Sequence, residues 1–460
     1  MGKLYVMRHS LTYYNEAKKF AGNQDIPLSK TGIYDALKAG KNFKYENIDV
    51  VFTSTLSRSL DTAILFLSQL ELEKIPIIIS RNQYKNFSRK DLLPIVQFAE
   101  LNERDYGILQ DMDKDQIEKN ISPDVLRSWR REYYDGPQKG EKFHRVVSRV
   151  AEFYYKILKP TLLTKDVLVV AHQNTARALY YLIYNIDKKN IDDIEFQNSD
   201  IWTINFNSEK DTNKIIPKNA IIIAGGKGSR MGEYTLDMPK PLLEINDKPI
   251  IEYLTSYLSN NGFNVTVAYS YLYDKWQDFI EKNNNSMDFY YIDHNMSYHD
   301  SFLKTYNAIN NKSNYFILSS GDMLFNPVIF DNAIEEHVIK GYDVTVVLNE
   351  KYGRWKKWKY IFDKNKTIKD ILIEDTVQSF ERYFVILNRE IIDFYSQQIC
   401  MNKDIIVKNK DFGSGVCFLI KNLIDLKIKV NYLLYEGYLI NINDVKDLET
   451  AKKMLNQHLI

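Results

Sequence analysis

Five short apolar runs set the strongest limit on what this chain can fold into. They are Lys3-Leu4-Tyr5-Val6-Met7, Val50-Val51-Phe52, Val167-Leu168-Val169-Val170, Ala220-Ile221-Ile222-Ile223-Ala224 and Phe316-Ile317-Leu318-Ser319-Ser320. Runs this short read as strands, and continuous apolar character marks strands covered on both faces. Between them lie helical patterns, such as Val146, Val147, Val150, Ala151, Tyr154 and Leu158 recurring at helical spacing. Strand–helix alternation predicts an α/β protein whose sheets are mostly parallel and flanked by helices.

At 460 residues the chain has room for two or three domains of ~100–200 residues each. Asn207-Ser208-Glu209-Lys210-Asp211-Thr212-Asn213-Lys214 is polar and aperiodic, so 207–218 is the expected linker between domains 1–206 and 219–460. The 45% hydrophobic and 26% charged content is that of a folded globular protein. Lys+Arg (61) and Asp+Glu (60) leave a net charge of +1, which argues against a general nucleic-acid or anionic-membrane binder. No run approaches the ~18–20 apolar residues of a membrane span, and the opening residues do not read as a signal peptide. Cys400 and Cys417 are the only cysteines, so no disulfide framework is expected and a cytoplasmic setting is favoured.

Arg8-His9 closes the first run, Arg58 follows the second and His172 closes the third. Ligands of open α/β sheets collect at the carboxyl ends of the strands, so adjacent strands would bring these residues into one pocket. The chemistry needs such a set. A neutral imidazole can attack phosphorus, arginines hold phosphoryl oxygens by charge-assisted bonds, and a carboxylic acid such as Glu103 protonates the leaving oxygen. A lone histidine near a strand end is more often structural, and His144, His294, His299, His337 and His458 are read that way.

These residues resemble the histidine phosphatase superfamily. Arg8-His9 looks like its first histidine motif, with Asn15 at the usual spacing. Thr53-Ser54-Thr55-Leu56-Ser57-Arg58 resembles its second arginine motif, and Ala171-His172-Gln173-Asn174-Thr175-Ala176-Arg177 its second histidine motif. Leu101-Asn102-Glu103-Arg104-Asp105-Tyr106-Gly107, Lys114 and Trp129-Arg130-Arg131 are similar to the phosphoglycerate mutase branch. The resemblance implies that His9 is the nucleophile, Glu103 the acid–base, and that Arg8, Asn15, Arg58 and His172 hold the phosphate. It places Arg104, Tyr106, Lys114, Arg130 and Arg131 against the rest of the substrate, with Asn174 among the binding residues. Ser10 and Gln173 stand where glycines are usual. The stretch from Arg131 to Gly140-Glu141 is shorter than in true mutases, which opens the site to water and favours a phosphatase.

The second constellation is Gly225-Gly226-Lys227-Gly228-Ser229-Arg230-Met231 after a buried strand, then Met238-Pro239-Lys240-Pro241-Leu242. Glycines let backbone N–H groups approach phosphates, and Arg230 and Lys240 add charge. The spacing is not that of a dinucleotide fingerprint. The order of motifs resembles the sugar-phosphate nucleotidyltransferases, of glycosyltransferase-A type. Phe316–Ser320 followed by Gly321-Asp322 matches the family's metal-binding aspartate. Glu436-Gly437-Tyr438-Leu439-Ile440-Asn441 matches its late segment, with Asn441 where many relatives carry Asp. The resemblance implies a Mg²⁺ ion held by Asp322 and Asn441, catalysis by Arg230 and Lys240, and nucleotide contacts at Gly225, Gly226 and Gly228. Glu374-Asp375 replaces the family's Glu-Lys substrate motif. Arg354-Trp355-Lys356-Lys357-Trp358-Lys359-Tyr360 mixes basic and aromatic residues, as single-strand binders do, and is read as a solvated hairpin strand beside Tyr360–Phe362.

Together these readings imply a bifunctional enzyme: a phosphatase acting on a phosphorylated sugar or polyol, such as a heptose bisphosphate, and a nucleotidyltransferase that couples the remaining phosphate to NMP from an NTP, releasing pyrophosphate. The activated product would feed surface glycan synthesis. The alternatives are a mutase in the first domain, or a binding module with a decayed site. No nucleic-acid or membrane partner is expected, and a homo-oligomer is compatible with the sequence.

Overall fold

The computed structural model describes residues 1–44, 47–207, 218–293, 295–310, 312–326, 329–356, 359–372, 375–401, 415–435 and 439–456; within these, the side chains of 131, 189, 192, 350–356, 375–381, 400 and 401 are also outside the description. The chain divides into two compact units, one built on Met1–Ile216 and one on Pro217–His337 and Tyr342–Ile460. Most of the expected linker lies outside the described residues, and Lys218 already begins a strand.

The first unit has six strands: β1 (Lys3–Arg8), β2 (Val50–Thr53), β3 (Ile75–Ile79), β4 (Leu92–Gln97), β5 (Val167–Ala171) and β6 (Ile201–Asn205). Their order is β3-β4-β2-β5-β1-β6, parallel except for β6 against β1. The apolar runs explain this placement. Leu4 and Val6 join one core with Val50, Phe52, Val167 and Val169, while Tyr5 and Met7 join the opposite core with Val51, Leu168 and Val170. Such double-sided burial suits only central strands. Val146, Val147, Val150 and Ala151 are buried on the helix Phe143–Phe153, which continues through a widened turn, Tyr154–Leu158.

The second unit holds β7 (Lys218–Ala224), a two-stranded ribbon of β8 (Glu244–Ile245) and β9 (Lys248–Pro249), β10 (Phe263–Tyr269), β11 (Met287–Tyr291), β12 (Tyr315–Ser320), β13 (Met323–Phe325), β14 (Val344–Lys356), β15 (Lys359–Phe362), β16 (Thr367–Leu372), β17 (Asp375–Asn388), β18 (Val430–Leu434) and β19 (Leu439–Asn441). Nine of them form one sheet, ordered β11-β10-β7-β12-β17-β14-β18-β16-β15, and β13 pairs with β19. This sheet is parallel across β11, β10, β7 and β12, then mixed, because β17 runs antiparallel to both β12 and β14. The expected hairpin of 354–360 does not form among the described residues. The β14 backbone pairs with β17, and β15 pairs with β16.

No helix among the described residues is long and apolar enough to cross a membrane.

Candidate functional site

Because β1 and β5 are neighbours and β2 lies beside β5, the strand-end residues converge. Arg8 pairs in register with Ala171, and the His9 N–H donates to the Ala171 carbonyl at 2.9 Å. The rings of His9 and His172 end up with centroids 4.9 Å apart, both buried. His9 Nδ1 donates to the Ser10 carbonyl at 2.7 Å, which fixes the tautomer and leaves Nε2 with its lone pair. Burial first, then the Arg58 and Arg8 cations, hold the His9 imidazole well below its usual value. Burial and Arg58 do the same to His172. Both rings are therefore neutral near pH 7, the form a nucleophile requires.

Around His9 lies a cavity of about 200 Å³ whose walls include Arg8, Asn15, Arg58, Glu103, Tyr106, Lys114 and Arg130. Arg58, from the helix Ser57–Leu67, is only 1% exposed; its two terminal nitrogens donate to the carbonyls of Gln24 (2.6 Å) and Gly22 (2.8 Å). Burial lowers its pKa to about 10, so it stays charged at pH 7. The Nε atoms of Arg8 and Arg58 and Nδ1 of His172 are buried with no hydrogen-bond partner among the described residues. Unpaired buried donors around one imidazole suit an anion, since such groups are otherwise costly. Asn15 uses its side-chain oxygen on Thr12, leaving its NH₂ as a donor. Glu103 Oε1 accepts from the Arg104 backbone at 2.7 Å and from Asn174 Nδ2 at 3.1 Å; Asn174 also reaches the Tyr106 hydroxyl at 3.1 Å. A fixed carboxyl beside a neutral imidazole can move a proton to a leaving oxygen.

One expectation changes. Arg104 does not face the cavity. It is wholly buried, and its guanidinium donates to the carbonyls of Glu141 (2.6 Å), Asp135 (3.0 Å) and Arg130 (3.3 Å), so it ties the chain together. The Arg131 side chain lies outside the described residues. The structure adds Arg177, Glu195 and Gln197 to the cavity wall. Of these, only Arg177 fell inside a recognisable motif.

The two glycine replacements act on one loop. Gln173 accepts from Arg8 (3.3 Å) and from the Phe196 N–H (3.2 Å), and donates to the Ile194 carbonyl (3.3 Å). The Ser10 hydroxyl meets that of Ser199 at 2.7 Å. Both side chains fasten the segment 194–199 that brings Glu195 and Gln197 to the cavity.

In the second unit, β7 and β12 are adjacent and end together, the Gly321 N–H donating to the Ile223 carbonyl at 3.0 Å. The glycine loop and Asp322 therefore share one sheet edge. A Cβ on Gly225 would meet Ser270 Oγ at 3.1 Å, and Gly228 combines a φ of +64° with a Cβ site 3.1 Å from Lys240 Cβ. Neither position tolerates a larger residue without local movement. Gly226 and Arg230 are exposed on the loop. Lys240 is buried, and its ammonium meets Asp322 Oδ2 at 2.5 Å. Asn441 reaches the same place because β13 pairs with β19, Met323 opposite Asn441. Asp322 Oδ1 and Asn441 Oδ1 are both buried with no partner among the described residues. Two orphaned oxygens, one from the Asp322 carboxylate and one from the Asn441 amide, fit a hard divalent ion that takes few protein ligands; no group of three or more His, Cys, Asp or Glu suited to a metal occurs among the described residues. Glu374 and Glu436–Tyr438 lie outside the described residues. His299 and His337 are buried; His337 bonds Thr345 and Asn388.

The two sheets, one presenting a histidine pair in a cationic cavity and the other a glycine loop beside a lysine–aspartate pair, define a two-domain enzyme of phosphoryl and nucleotidyl chemistry. The profile of the histidine phosphatase superfamily (branch 1) matches residues 4–82 and 83–216, and that of the nucleotidyl transferases matches 219–360. The chain belongs to the histidine phosphatase superfamily through its first unit and carries a nucleotidyl transferase domain in its second. It is 34% identical to the 2,3-bisphosphoglycerate-dependent phosphoglycerate mutase of Chlamydia pneumoniae over 204 residues, covering 42% of this chain and 90% of that protein. The enzyme of the same name from Chlamydia muridarum is 37% identical over 186 residues, 39% of this chain and 82% of that one. Among solved structures, YhfR of Bacillus stearothermophilus aligns with 45% of this chain and 91% of its own (TM-score 0.37, 23% identity). The CTP:phosphocholine cytidylyltransferase of Streptococcus pneumoniae aligns with 52% of this chain and 100% of its own (TM-score 0.42, 18% identity).

Proposed function

We propose that the chain is a bifunctional enzyme that removes one phosphate from a phosphorylated sugar or polyol and then activates the remaining phosphate with an NTP. The observation that carries the first half is the neutral His9–His172 pair, 4.9 Å apart and ringed by unpaired arginine donors. His9 Nε2 attacks the phosphorus, forming an N–P bond as the ester P–O bond breaks, and Glu103 gives its proton to the leaving alcohol. Arg8, Arg58, Asn15 and His172 hold the phosphoryl oxygens. Water then attacks the phosphohistidine, Glu103 takes its proton, and inorganic phosphate leaves. Lys114, Arg130, Tyr106 and Asn174 face the rest of the substrate.

In the second unit an acceptor phosphate oxygen attacks the α-phosphorus of the NTP and pyrophosphate departs. The Gly225–Gly228 loop and Arg230 grip the phosphates, and Lys240 neutralises charge. Asp322 and Asn441 would hold Mg²⁺, which supplies charge neutralisation at the phosphates. The product is an activated sugar or polyol suited to surface glycan synthesis. The test is a screen of four NTPs against sugar and polyol phosphates, reading pyrophosphate, together with phosphate release from sugar bisphosphates. No phosphate release from any bisphosphate would overturn the coupling.

A second reading, a mutase in the first unit, is favoured by the identity to proteins named phosphoglycerate mutase. A requirement for a bisphosphate primer, with isomerisation and no free phosphate, would establish it instead.

A further inference from the structure

The sheet of the first unit ends on β3, and among the described residues no strand covers its other side. β3 reads Ile75-Pro76-Ile77-Ile78-Ile79 and carries no charge. Ile75 is 68% exposed, Ile78 52% and Ile77 37%, while Ile79 turns into the core. An apolar edge left open is a template for another strand, through its free N–H and C=O groups. Pro76 guards this edge only in part, since it removes a donor and leaves its carbonyl. The Ile75 N–H donates to the Asp91 carbonyl at 3.0 Å, so the backbones of Ile75, Ile77 and Ile79 turn towards β4. Those of Pro76 and Ile78 therefore turn outward. The helix Arg81–Lys85 stops the edge at Ser80, whose N–H is taken by the Gln83 side chain at 2.9 Å. The open stretch is centred on Ile77.

A two-fold axis at Ile77 lets this edge pair with its own copy. Antiparallel pairing sets Pro76 against Ile78 of the second copy, so each Ile78 N–H meets a Pro76 carbonyl. The absent proline N–H leaves only the Ile78 carbonyls without a donor. On one face Ile77 meets Ile77 and Ile75 meets Ile79; on the other Pro76 meets Ile78. The flanks match as well. Glu71 and Glu73 precede the strand and are exposed; Arg81 and Lys85 follow it. Antiparallel pairing lays the acidic flank of each copy beside the basic flank of the other, with Glu73 four residues before the axis and Arg81 four after. Arg81 lies 3.0 Å from Glu100, yet half of its side chain is exposed. Lys74, the cation on the acidic flank, is held by Asp49 at 2.5 Å. A parallel arrangement of two copies would set like charges together instead.

We propose that the open edge of β3 is the two-fold interface of a homodimer, in which the sheets of two first units join antiparallel at Ile77 into one continuous sheet. No residue of β3 lines the His9 cavity, so the inference stands apart from the phosphoryl chemistry.

The test uses the full chain. Light scattering after size exclusion, at concentrations up to about 50 μM, is expected to give twice the mass of one chain. Ile77→Lys sets two ammonium groups against each other on the axis, and is expected to give the mass of one chain with an unchanged far-ultraviolet circular dichroism spectrum. Ile77→Cys tests the register. In an antiparallel pair without hydrogen bonds the Cα atoms are about 4.5 Å apart, within reach of a disulfide, so mild oxidation is expected to link two copies. Ile75→Cys, about 14 Å from its own copy at the strand rise, is expected to link no more than the parent chain does. The mass of one chain at about 50 μM, a dimer that survives Ile77→Lys, or equal linking through positions 75 and 77 overturns the proposal. Assembly beyond the dimer also overturns it, because a closed two-fold leaves no free edge to extend. Should Ile77→Lys fail to fold, the comparison of Ile77→Cys with Ile75→Cys decides alone.

Discussion

Gln173 and Arg8 are joined through a 3.3 Å hydrogen bond across the cavity floor, and the same amide holds Phe196 and Ile194. A residue that replaces glycine in a phosphate-binding motif here fastens the wall carrying Glu195 and Gln197. Replacing Gln173 with Gly is expected to cost about 1–2 kcal/mol in unfolding free energy, from two or three lost hydrogen bonds. It should raise the KM for phosphoryl substrates by about fivefold while kcat changes little, because His9 keeps its own Ser10 contact. A loss confined to kcat would show that Gln173 acts on the chemistry rather than on the wall.

Arg104 separates binding from architecture. Its guanidinium satisfies three carbonyls from separate points in 130–141. Arg104→Met should destabilise the first unit by about 2–4 kcal/mol, since buried carbonyls lose their donors. Chemical denaturation measures this. A fully stable variant with a raised KM would restore the substrate contact that the sequence implied.

Glu103 is held by Arg104 N–H and Asn174. Glu103→Gln keeps these shapes and removes the transferable proton. It should lower kcat for poor leaving groups by about 10²–10⁴-fold, and far less for an activated ester such as p-nitrophenyl phosphate. Equal losses on both substrates would remove Glu103 from the acid role.

The buried histidines also fix a pH signature. His9 and His172 have folded pKa values well below 6.5, because burial and nearby arginines disfavour the charged form. Between that lowered value and 6.5 the unfolded chain binds protons that the folded chain does not, so stability rises with pH across this window and levels off above it. As pH falls below 6.5 the first unit should lose stability. A His9→Asn, His172→Asn chain should show a flatter melting temperature between pH 7 and pH 5. Identical slopes would mean that both rings titrate normally.

Much of this was legible in the residues, and the reasons differ by element. Strands β1, β2, β5, β7 and β12 are apolar on both faces, so their position at the centre of a sheet followed from composition alone. His9 and His172 were legible because strand ends are where such sheets bind ligands. Arg104 was not, because adjacency to Glu103 in a motif does not say which way the next side chain points; the carbonyls of Glu141, Asp135 and Arg130 are distant in sequence. Glu195 and Gln197 come from a loop without pattern. The antiparallel insertion of β17 between β12 and β14 depends on long-range pairing.

The central claim is that each unit grips its own phosphoryl group. The most direct measurement assays the full chain in parallel for phosphate release from a sugar bisphosphate and for NTP-dependent pyrophosphate release, with His9→Asn and Asp322→Asn compared. His9→Asn is expected to abolish only the first activity and Asp322→Asn only the second. If either substitution removed both activities, or neither, the assignment of one phosphoryl site to each unit would be wrong.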